Sequence, residues 1–395
     1  MIDALLGDAE IRRAIHRLRP DDDPAEAVAR VAWSVVAEPG DGVAGALISQ
    51  LGAGAALRFA LPSDDVAKEG LSAVDGATGR TQHALREGRK RWMPRADAKL
   101  VRHALHGAEE VGAQLLLPGD PSWPTPLNDL EEHAPALLWV RGDARCLGGQ
   151  DQIAIVGARA ATSYGDHIAA ELAGDLAATG TVIVSGGAYG IDGTAHRAAL
   201  GVGGATIAFL AGGVDRAYPS GHQQLFRRIT ESGVVASEVP CGTAPTKWRF
   251  LSRNRLIAAF GAATVVVEAG WRSGSLNTAG HAAALGRPLG AVPGPVTSAA
   301  SAGCHRLLRE YDARCVTNAA EVRELLGVAQ SGRAAEKPVD PDQIRLLDAL
   351  SARSPRAVHD LAARAGLAPD RVTALLGLLS LENIVVRTET GWRRA

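Results

Sequence analysis

Through the middle of the chain, short apolar runs end in glycine and lead into segments whose apolar residues recur with helical spacing. Gln152-Ile153-Ala154-Ile155-Val156-Gly157-Ala158-Arg159, followed by a helical run to Thr179, is the clearest case. Run, tight turn and amphipathic segment predict a buried strand, a turn and a helix, the opening unit of a parallel α/β sheet. Strand candidates recur at 152–156, 181–185, 205–210, 234–237, 263–268 and 289–292, with helical segments between them. That alternation predicts a doubly wound sheet with right-handed crossovers. Arg159 then falls at a strand's carboxyl end, where open α/β sheets bind ligands and a helix N-terminus favours phosphate. Its planar fork of donors suits a phosphate; pairing with a nearby carboxylate is the competing role.

The flanks have other textures. Residues 1–110 are Ala-rich with helical spacing, and Gly45–Leu57 has the helix, Gly-containing turn, helix layout of a small SAM-like or helix-hairpin-helix module. That layout also packs any small helical bundle, and the basic run Arg86, Arg89, Lys90, Arg91 and Arg95 suits a solvated face as well as DNA. From Gln114 the prolines of Leu-Pro-Gly-Asp-Pro-Ser-Trp-Pro-Thr-Pro give short extended pieces and turns, placing the start of an α/β domain at about 111 and its end at about 328. Residues 329–340 have a linker's composition. Beyond them, three helical segments and a Val-Val-Arg-Thr-Glu-Thr-Gly-Trp hairpin predict a winged helix over 341–395. Its recognition segment, Pro369–Leu375, carries one cation, which favours protein contact or weak backbone binding over base reading.

Composition narrows the function. The chain has 395 residues, 46% hydrophobic and 22% charged, with a formal net charge of −1, so any nucleic-acid binding must come from a local patch. Four scattered cysteines without a Cys-x-x-Cys pair argue against a zinc site or a disulfide scaffold. The absence of a signal peptide or a bilayer-length apolar run predicts a soluble cytoplasmic protein without membrane contact.

The strand-ending turns carry the candidate chemistry. Ser185-Gly186-Gly187, Ala211-Gly212-Gly213, Glu268-Ala269-Gly270 and Pro293-Gly294 put glycine at successive carboxyl ends, where backbone N–H groups can approach a ligand in one crevice. No Gly-x-Gly-x-x-Gly follows the first strand, and no Walker lysine motif exists anywhere in the chain. Neither a cofactor, a metal nor a catalytic residue is therefore assigned. Thr246-Lys247-Trp248-Arg249-Phe250-Leu251-Ser252-Arg253-Asn254-Arg255 interleaves four cations with two aromatics and no acid. Cations can follow a phosphate backbone while rings stack on bases, the pattern single strands require; structural ion pairs and core anchors are the alternative. Asp192 is expected to cap the helix that carries His196, and Glu238 and Glu268 to anchor loops.

Taken together, these residues resemble the DNA processing protein A (DprA, or Smf) family. The resemblance rests on Val-Gly-Ala-Arg (156–159), Ser-Gly-x-Ala-x-Gly-Ile-Asp-x-x-Ala-His (185–196), Tyr-Pro (218–219), Phe-x-x-Arg-Asn-Arg (250–255), Ser-Gly-Ser-Leu-x-Thr-Ala (273–279) and Val-Pro-Gly (292–294), in that order. Gly187, Leu251 and the segment 307–313 depart from the family's usual residues. The resemblance implies an extended Rossmann-like domain that binds single-stranded DNA without sequence preference, forms a homodimer and helps load RecA recombinase. It carries DNA contacts to Arg159, Lys247, Phe250 and Arg253; the strand-ending residues Gly157, Ser185 and Gly186 are candidate contacts beside them. The rival reading is a nucleotide-directed hydrolase of the lysine-decarboxylase-like type; that group carries Pro-Gly-Gly-x-Gly-Thr-x-x-Glu where this chain has Glu-Ala-Gly-Trp-Arg-Ser-Gly-Ser-Leu.

Overall fold

A computed structural model describes residues 1–20, 23–61, 79–149, 151–327 and 340–395. They fall into two compact units, residues 1–328 and 329–395. Residues 329–339 of the expected linker lie outside the described residues.

Among the described residues, nine strands of the first unit form one sheet: β1 (Gln114–Leu116), β2 (Leu138–Gly142), β3 (Gln152–Val156), β4 (Val182–Ser185), β5 (Thr206–Leu210), β6 (Val234–Ser237), β7 (Ala263–Val266), β8 (Leu289–Ala291) and β9 (Arg314–Cys315). Their order across the sheet is β1-β2-β6-β5-β4-β3-β7-β8-β9. Strands from β6 to β9 in this order are mutually parallel. Antiparallel β2 and β1 extend the sheet at the β6 edge. All six central strand candidates are present to within two residues, and the fold is the extended Rossmann-like one. The short edge strands β1, β2 and β9 are additions that the proline-rich and irregular segments concealed.

Helices cover both faces, which is why the central strands read as near-continuous apolar runs. Ile153 and Ile155 of β3 pack on one face with Leu172, Leu176 and Ile183. Ala154 and Val156 pack on the other with Val184, Phe209 and Phe260, whose rings meet edge to face at 5.5 Å. Chain order reverses between β3 and β7, and this switch point is where a doubly wound sheet opens a crevice beyond its strand ends.

The N-terminal helices share a core with this sheet. Trp33 and Trp92 pack edge to face at 5.3 Å, and their indole N–H groups donate to Ala53 O and to Asp41. The apolar cluster around them continues into Leu115, Trp139, Leu210 and Phe226. The expected helix pair is present as Gly42–Leu51 and Ala53–Ala60, joined at Gly52, whose φ of 78° favours glycine.

The second unit has helices Pro341–Ala349, Val358–Ala365 and Pro369–Leu381, then strands β10 (Val385–Thr388) and β11 (Gly391–Arg394) paired as a hairpin. Leu346, Leu361, Leu376, Leu379 and Val385 fill its core, giving the winged helix read from the sequence. Arg371, the lone cation of its recognition segment, is bound by Asp340 and Asp342, while Leu378 and Leu381 are exposed on the same helix. Among the described residues of the chain, no helix is long and apolar enough to cross a membrane.

Candidate nucleic-acid interface

The crevice at the switch point is lined by Gly157 and Arg159 from the turn after β3, Ala188 from that after β4, Asp192 from the first turn of the helix that follows, and Arg253 and Asn254 from the helix Lys247–Phe260. Gly274, Ser275 and Thr278, after β7, close the far side. Gly157 is required by close approach, since a Cβ there would sit 2.5 Å from Ile191 Cγ1.

Arg159 is exposed and makes no ion pair with a carboxylate among the described residues. Instead its guanidinium lies 4.8 Å from the ring centroid of Phe250. Phe250 in turn meets the ring of Tyr218, from the segment after β5, at 5.4 Å. Thr246 caps the helix N-terminus by accepting from Arg249 N–H, which fixes where that helix begins. Lys247 and Phe250, three residues apart, therefore share a helix face. Lys247 also makes no ion pair among the described residues, and its ammonium lies 5.9 Å from the ring of Trp248, which is 73% exposed. Two free cations, a half-buried phenyl ring, an exposed phenol and an exposed indole thus come together at the carboxyl edge of the sheet.

The other cations of the basic stretch are used within the fold. Both guanidinium contacts of Arg249 to Glu38 are 2.9 Å. Arg255 donates to Glu238 at 2.7 Å and to His133 O at 2.9 Å. Arg253, 5% exposed, donates to Phe209 O at 2.6 Å and forms the inner wall of the crevice rather than its rim. Burial pushes its pKa down to about 10, against the pull of Asp192. The same burial raises the Asp192 carboxyl, against the pull of Arg253. Of the basic run at 86–95, Arg89 donates to Phe59 O and Ala60 O, while Lys90, Arg91 and Arg95 pair with Glu87, Asp41 and Glu38.

Asp192 does not cap its helix. That helix runs Ile191–Gly201 with Gly190 at the cap, and the Asp192 carboxylate reaches back to accept from Gly186 N–H at 3.1 Å and Ala188 N–H at 3.3 Å. The chain turns back over its own carboxylate here because Gly190 takes a φ of 72°. Ser185 and Gly186 are accordingly committed to shaping the loop: the Ser185 hydroxyl donates to Ile155 O at 2.6 Å, and a Cβ on Gly186 would sit 2.0 Å from Arg253 Nη1. Tyr218 was not singled out from the sequence as a site residue; an aromatic in a strand-ending turn after a Gly-Gly pair was its signal.

The carboxylates near the crevice are held by structural donors. Glu268, 2% exposed, accepts from Thr162 N–H at 2.9 Å and from its hydroxyl at 2.6 Å, and Glu238 holds Arg255. His196 is buried, bonded to Thr206 Oγ1 at 2.7 Å, and burial pushes its pKa down to about 3. It is a neutral core residue.

An extended Rossmann-like sheet and a C-terminal winged helix define the class of protein by its fold. Residues 114–327 match the model of the DNA recombination-mediator protein A family, and residues 330–390 match that of the DprA winged helix domain. A Mycobacterium tuberculosis DNA processing protein DprA is 42% identical over 308 residues, covering 71% of this chain and 77% of the relative. The Streptococcus pneumoniae DprA is 38% identical over 207 residues, covering 51% and 71%. The X-ray structure of DNA processing protein A from S. pneumoniae superposes with a TM-score of 0.59 at 30% identity, covering 76% of this chain and 96% of that one. The chain belongs to the DprA/Smf family of DNA processing proteins.

Proposed function

We propose that the protein is a non-enzymatic, cytoplasmic single-stranded DNA binder that acts as a homodimer and helps load RecA recombinase onto the strands it holds. The observation that carries the DNA reading is the stacked arrangement at the crevice mouth: Arg159 with no carboxylate partner among the described residues, lying 4.8 Å over Phe250, with Lys247 one helical turn away. Arg159 and Lys247 take phosphates, and the Phe250 ring with its Tyr218 neighbour takes bases. Gly157 and Arg253 form the wall against which the backbone lies, and Ser185 and Gly186 shape the loop behind it. Such contacts recognise charge and π-faces, so they bind any base sequence. Duplex DNA hides its base faces in the stack and offers such rings nothing to stack on. The commitment of Glu268, Glu238 and His196 to structural partners supports a non-catalytic role. RecA loading and dimerisation rest on family membership.

The test is an electrophoretic shift comparing a single-stranded homopolymer with a duplex of the same length, followed by a RecA strand-assembly assay on strands coated with single-strand-binding protein. Preference for the single strand and faster RecA assembly are expected. Equal affinity for duplex would refute the stacking role, and unchanged assembly would refute the loading role alone.

A further inference from the structure

On the β7 side of the crevice, the loop after that strand carries Trp271, 59% exposed to solvent. Arg306, on the helix Ala302–Glu310, places its guanidinium 5.3 Å from the Trp271 ring centroid and 5.7 Å from that of Tyr311. Its Nε donates to Glu310 at 2.7 Å, so the guanidinium is fixed by an acid and two rings. Arg272 and Arg309 are exposed next to these residues in the chain, and neither pairs with a carboxylate among the described residues. Glu310 and Asp312 are the acids of the same segment, so cations outnumber them three to two. A guanidinium beside an aromatic ring is also what Arg159 and Phe250 form in the crevice. The loop runs from Trp271 directly into Gly274 and Ser275, which line that crevice.

We infer that Trp271, oriented by Arg306, is a second base-stacking station for a single strand that crosses the crevice from the Tyr218 and Phe250 side. The inference rests on the proposed function. Three strand spacings separate the loops after β5 and β7, about 14 Å at roughly 4.8 Å each. At about 3.4 Å per stacked nucleotide, that gap holds about four nucleotides. Strands shorter than this reach one station, and longer strands reach both.

The experiment measures binding of oligothymidylates of three to twelve nucleotides to the full chain, by competition against a labelled dodecamer. Wild type, Trp271→Ala, Trp271→Phe and Arg159→Ala are compared, with circular dichroism to confirm folding. For Trp271→Ala, the dodecamer should bind about fivefold to about 150-fold more weakly, the range for losing one base stack. Affinity should cease to rise with length beyond about four nucleotides, and Trp271→Phe should restore most of the loss. Wild-type binding by Trp271→Ala at every length, with Arg159→Ala weakened, would overturn the second station and leave the crevice intact. An equal loss at all lengths would place Trp271 within the first station and overturn it too. Failure of the wild type to bind any oligomer would instead overturn the proposed function, and this inference with it.

Discussion

The contact between Arg159 and Phe250 makes a quantitative demand on DNA binding. The guanidinium stands 4.8 Å from the ring centroid on a partly exposed surface, a geometry that contributes about 0.5–1 kcal/mol. Arg159→Ala removes one phosphate contact, and the log–log salt slope for a single strand should flatten by about 0.7. Phe250→Leu keeps apolar bulk in the Tyr218 contact but removes the π-face, at a cost of about 1–3 kcal/mol in affinity with an unchanged slope. If the ring also holds the guanidinium in the place where phosphate is met, the two losses cannot simply add. The double variant should lose about 0.5–1 kcal/mol less than the sum of the single losses. Fluorescence anisotropy of a labelled homopolymer across a salt series gives all four slopes and affinities. Additivity to within about 0.3 kcal/mol would refute the positioning role of the ring. A slope that flattens in Phe250→Leu but not in Arg159→Ala would reverse the two assignments.

Other consequences can be checked separately. Thr162→Val removes a hydroxyl that both donates to Glu268 and accepts from Gly165 N–H, so urea denaturation should show a loss of about 2–3 kcal/mol. His196 has a folded pKa of about 3, below the usual value of about 6.5 for the unfolded chain. Its neutral form therefore supports the fold fully above about pH 6.5, and that contribution is lost as pH falls toward 3. His196→Gln should flatten the pH dependence of stability in that window by up to about 1.4 kcal/mol per pH unit, and an unchanged dependence would mean that the imidazole is not buried neutral. Arg371→Ala breaks contacts to Asp340 and Asp342 in the winged helix and should leave single-strand affinity within about twofold, consistent with exposed surface substitutions; a tenfold loss would bring the winged helix into the main site.

Much of this architecture is legible in the sequence because a parallel strand buried on both faces reads as a near-continuous apolar run, as β3 to β8 do apart from single residues such as Gln152, Ser185 and Thr206. The two-residue β9 and three-residue β1 carry too few positions to show any period. Helix 247–260 shows what the sequence leaves open at the site. In sequence it is one basic stretch, but the acids that claim Arg249 and Arg255 lie 211 and 17 residues away, and only the fold brings them in. Burial of Arg253 behind Gly186 is likewise a long-range fact. Asp192 was misplaced for a local reason: a carboxylate in the first turn usually serves that turn, but here the left-handed Gly190 lets it serve the preceding loop. Arg159 was legible because its position depends only on the end of β3 and the turn that follows.

The path of the strand across the molecule can be read directly by photocrosslinking. An oligonucleotide bearing 5-iododeoxyuridine at successive positions transfers to aromatic side chains in contact with its bases, and mass spectrometry of the digested complex names them. Crosslinks at Phe250 and Tyr218, lost on competition with unlabelled single strand but not with duplex, are the expected result. Crosslinks confined to residues 86–95 or to the helix Pro369–Leu381 would contradict the assignment of the carboxyl edge as the DNA site.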